Sequence, residues 1–104
     1  RAEAQGFHEM HTDHQREMHA MLAEAWGVVQ RTGELEHFYE TDLLPLADQS
    51  VQAALLGYRS NRAMVDEVVA ARRAALDAKL KHLRLAAERA QAQYDMDYLV
   101  GEVP

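Results

Sequence analysis

A chain of 104 residues makes at most one domain, and a formal charge of -6 excludes an electrostatic grip on nucleic acid, which needs a basic surface to release counterions. With no cysteine it can build neither a disulfide frame nor a thiolate zinc site, and no stretch reaches the roughly 20 uninterrupted apolar residues of a membrane-spanning helix. Only two prolines and five glycines interrupt a composition rich in alanine, leucine, glutamate and arginine, so the predicted class is all-α: one helical domain over residues 1–104.

The first predicted helix covers about residues 2–31. Met10, His14, Met18, Met21, Leu22, Ala25, Val28 and Val29 recur at steps of three and four, which places them on one helical face. Opening at Arg1 inside sequence that already reads as helix, with no leader pattern, the chain is expected to be an excised or processed piece. Thr32-Gly33 is the first expected interruption, because glycine weakens a helix and threonine can cap a new one. The segment before it either continues into the next helix or folds back as a third one.

The second predicted helix covers about 34–59, with Leu35, Phe38, Leu44, Ala47, Val51, Ala54, Leu55 and Tyr58 as its stripe. Pro45 lies within it, so the helix is expected either to bend there or to restart with Asp42 as its cap. A reversal is predicted at residues 59–62: Asn61 tolerates the left-handed conformation that ends a helix, and Ser60 and Asn61 can cap the next. The third predicted helix, about 62–100, carries Val65, Val69, Leu76, Leu80, Leu83, Ala87, Ala90 and Tyr94. From Leu76 onward their four-three steps are those of a coiled-coil seam. Gly101 and Pro104 mark its expected stop. Neighbours joined by this reversal make a long antiparallel hairpin of coiled-coil type.

The residues from Tyr39 to Gly101 then match an ordered pattern. Leu43-Leu44-Pro45-Leu46-Ala47 resembles the LLP-x-A segment of the TolC-like outer-membrane efflux proteins, and Ala53 to Ser60 resembles that family's A-x-x-x-Y-x-x-G approach to its periplasmic tip. Ala71-Arg72-Arg73, Leu76 and Leu80 stand where the family has A-Q-R-x-x-L-x-A-x-L, and Leu99-Val100-Gly101 resembles its closing L-x-G. Two positions depart: Asn61 replaces the usual tip glycine, and Ala70 a frequent aspartate. The resemblance implies the periplasmic part of an outer-membrane channel subunit, trimeric when intact, which forms a stretch of export tunnel. Its tip would meet the periplasmic adaptor of a tripartite exporter.

Two groups of residues carry the functional expectations. Arg59, Ser60, Asn61 and Arg62, with Asp66 and Glu67 one turn later, form a charged tip suited to a partner's helical hairpin. His8, His11, His14 and Met18 gather nitrogen and thioether donors at helical spacing in the first quarter of the chain. They suggest copper, silver, zinc or nickel, and an alternative role as a small periplasmic metal-binding bundle, a sensor or chaperone. Against this, methionine on a periodic face is commonly core filler. His37 and His82 read as isolated. No serine or threonine stands in a nucleophile motif and there is no glycine-rich phosphate loop, so no catalytic residue is expected.

Overall fold

The computed structural model describes residues 2–102, with side chains from Glu9 onward. The chain is 95% helical, with no strand among the described residues, as the composition predicted. Helix α1 spans Ala2–Phe38, a π-helical segment spans Tyr39–Leu43, α2 spans Leu44–Arg59 and α3 spans Val65–Glu102.

No break forms at Thr32-Gly33, and the residues before it make no separate third helix: α1 is a single helix of 37 residues. The reason lies in the surroundings of the two residues. Thr32 is 4% exposed, packed inward instead of capping, and a Cβ added at Gly33 would meet nothing within 4 Å, so the glycine marks neither a turn nor a close approach. One such glycine costs about 1 kcal/mol, too little to stop a helix held by packing on its inward face. Helix α3 is described as far as Glu102, one residue past Gly101.

Pro45 falls in the first turn of α2, as a restarted helix would place it, but Asp42 is not the cap. Both residues flanking the π segment, Phe38 and Leu44, keep right-handed helical angles. The Leu44 N–H reaches the Tyr39 carbonyl, five residues back, so the chain stays helical through one wider turn. Pro45 withdraws its own N–H and its ring crowds the carbonyl four residues earlier, that of Thr41. The wider turn takes up that misfit. The Thr41 hydroxyl donates to the His37 carbonyl at 2.9 Å, adding a bond where the backbone ladder changes pitch.

Two compact units make up the chain, Thr32–Ala87 and Arg1–Arg31 with Glu88–Pro104. In the first, the π segment, α2 and the N-terminal half of α3 lie antiparallel. The α3 positions turned inward are Val68, Ala71, Ala75, Ala78, His82 and Leu85, at steps of three and four; Val68, Ala75 and Leu85 are buried and the others half-buried. On the opposing arm, from Tyr39 to Arg59, Tyr39 is buried and Leu43, Leu44, Ala47, Val51, Ala54, Leu55 and Gly57 are half-buried.

This is not the seam expected from sequence. Val65, Val69, Leu76, Leu80 and Leu83 are all exposed, Leu83 at 62%. Both stripes on α3 satisfy a heptad, so periodicity does not choose between them. Side-chain size does: a column of alanines lets two backbones approach closely, while the bulkier leucines would hold them apart.

In the second unit, Ala92 is buried, and Met18, Leu22, Ala25, Val28, Val29, Met96 and Leu99 are half-buried. An open groove there is lined by Met21, Ala25 and Val28 on α1 and by Ala92, Tyr98 and Leu99 on α3, with Glu24, Glu88 and Asp95 at its polar edge.

Candidate functional site

The reversal falls where Asn61 predicted it. Asn61 has φ 58°, the positive value that asparagine tolerates better than other side-chain-bearing residues. The Arg62 N–H donates to the Gly57 carbonyl at 2.8 Å and the Asn61 N–H to the Tyr58 carbonyl at 3.1 Å. These are the two bonds of a Schellman motif, which satisfy carbonyls that a helix end leaves without partners. The Ala63 N–H shares the Gly57 carbonyl at 3.1 Å. That close return explains Gly57, because a Cβ there would lie 3.1 Å from the Ala63 Cβ.

Ser60 serves the helix behind it and does not cap the one ahead: its hydroxyl donates to the Leu56 carbonyl at 2.8 Å. Helix α3 starts at Val65, three residues later than expected, and its first turn is tied by the Glu67 N–H to the Met64 carbonyl at 3.0 Å. Asp66 and Glu67 lie in that first turn, where negative charge is favoured by the helix dipole.

Arg59, Ser60, Asn61, Arg62, Asp66 and Glu67 are all exposed around this one turn, so the residues singled out at the tip share a surface. Apolar neighbours share it too: Leu56, Tyr58, Met64 and Val65 are exposed, Met64 at 72%, although Tyr58 and Val65 were expected on the packed stripes. The signal for them was in the sequence, since bulky apolar residues on both flanks of a turn have no core there to enter.

The outer stripe of α3 leads away from this tip as Val65, Val69, Leu76, Leu80 and Leu83. These side chains are 43–62% exposed, so the apolar surface they leave in water forms a row along one side of the helix.

Of the proposed metal ligands, His11 and His14 are exposed and Met18 half-buried on α1, while the side chain of His8 lies outside those described. His82, which sequence reading left isolated, is not so: its Nε2 is 3.0 Å from Glu40 Oε1 on the opposing arm. Glu40 and His82 are equidistant in sequence from Asn61, which is the signal that could have paired them.

No protein-family model matches the chain, and no curated protein or solved structure is significantly similar to it. The likeness to TolC-like proteins therefore rests on the residues quoted above. No helix among the described residues is long and apolar enough to cross a membrane.

Proposed function

We propose that this chain is the periplasmic helical hairpin of a TolC-like outer-membrane efflux channel subunit, a non-enzymatic element that forms part of an export tunnel. Copies pack side by side, as a trimer in the intact channel, and the turn at Arg59 to Arg62 docks a periplasmic adaptor protein. The observation that carries this reading is the exposed aliphatic stripe of α3, a second coiled-coil face left over after the arms have packed on their alanines. A hairpin with one face for itself and one for neighbours is built for lateral assembly.

The tip supports the docking half of the proposal. A Schellman turn closed by backbone hydrogen bonds presents two exposed arginines near Tyr58 and Met64 in sequence, and arginine and aromatic residues are the usual anchors of protein interfaces.

The test is crosslinking in the source cell, with a photoreactive residue placed at Arg62 or, separately, at Gln52 within α2. The Arg62 probe is expected to capture an envelope adaptor that the Gln52 probe does not. Capture of cytoplasmic proteins alone, or equal capture from both positions, would contradict the proposal.

A further inference from the structure

We propose that Glu36, Glu40 and His82 form a binding site for a divalent cation of zinc type that fastens the two arms of the hairpin to each other. One donor atom from each residue lies within 4.8 Å of the other two, and His82 Nε2 is already 3.0 Å from Glu40 Oε1. The inference is independent of the channel reading and of the N-terminal histidines.

The chemistry of the donor set argues for a cation. Glu36 and Glu40 stand four residues apart on one helical face, so a donor oxygen of each lies within reach of one ion opposite His82. One imidazole nitrogen with two carboxylate oxygens is a set of three protein ligands that zinc accepts, with a fourth tetrahedral position for water. Ligand distances of about 2.0–2.2 Å bring such donors to roughly 3.3–3.6 Å from one another. Glutamate rotamers can close the remaining gap without moving the backbone.

The surroundings fit as well. The His82 side chain is 20% exposed and Glu36 is half-buried, so the site is partly desolvated, while Glu40 at 52% leaves an entry from solvent. Glu40 also belongs to the π-helical segment Tyr39–Leu43, and such segments, which re-aim side chains by widening one turn, occur frequently at functional sites.

The test is zinc titration of the full chain by calorimetry, in a background where His8, His11, His14, His19 and His37 are asparagine and circular dichroism shows the helix retained. One equivalent of Zn(II) is expected to bind and to raise the thermal midpoint, reversibly with EDTA. His82→Ala, Glu36→Gln and Glu40→Gln should each weaken binding at least tenfold and reduce the thermal shift. Absence of binding in the background overturns the proposal. So does undiminished binding in Glu36→Gln, which would leave only a two-residue contact between Glu40 and His82.

Discussion

The two sides of α3 within Thr32–Ala87 carry the same periodicity and opposite fates. The side built around Ala71, Ala75 and Ala78 is packed against the other arm, while the side built around Leu76, Leu80 and Leu83 stays in solvent. Greater hydrophobicity would send the leucines inward if burial alone decided. The close approach that alanine permits favours the other outcome, and the larger residues are left exposed. A heptad therefore identifies a coiled-coil face without saying whose partner it is.

The strongest way to break this contrast is to charge each side at adjacent positions. Ala75 is 6% exposed, so Ala75→Glu buries an unpaired carboxylate and is expected to destabilise the chain by about 2–4 kcal/mol in urea denaturation. Leu76→Glu, at a position 57% exposed, is expected to stay within about 0.5 kcal/mol at dilute concentration. Equal losses would place both residues in one core and remove the distinction.

A second pair sharpens it. Leu85→Ala removes a buried leucine beside the alanine column and should cost about 2 kcal/mol, at the low end for such truncations because the core around it is thin. Leu83→Ala, two residues away on the outer side, should cost under about 0.5 kcal/mol in the same denaturation assay.

At the turn the expected effects are smaller. Asn61→Val places a β-branched residue at positive φ and should cost about 1–2 kcal/mol, whereas Asn61→Gly should be neutral or stabilising by a few tenths. A thermal melt of the two variants checks the sign of each. Smallest of all, Glu40→Gln in EDTA-containing buffer should change stability by less than about 1 kcal/mol, because the carboxylate is half exposed and water screens its contact with His82.

The reversal was legible in the sequence because a single residue type decides it: Asn61 supplies a left-handed angle and Gly57 the room for the returning chain. The all-α class was equally legible from composition. The inner face was not, since two stripes on α3 share one period and only side-chain volume at the contact separates them. The π segment was hidden for a different reason. Proline announces a local misfit, but a bend, a cap and a wider turn can each relieve it, and the residue type does not choose among them. His82 looked isolated because Glu36 and Glu40 meet it only through the long-range register that the turn imposes. Thr32-Gly33 misled because residues that can end a helix do so only when packing on either side permits it.

The central claim is that the outer stripe of α3 is an assembly face and the inner one is not. Sedimentation velocity of the full chain across a concentration series, beside a Leu76→Gln, Leu80→Gln, Leu83→Gln variant, tests it most directly. The account predicts concentration-dependent association of the parent chain and a monomeric variant of unchanged helix content. Parent and variant sedimenting alike, whether both associated or both monomeric, would contradict it.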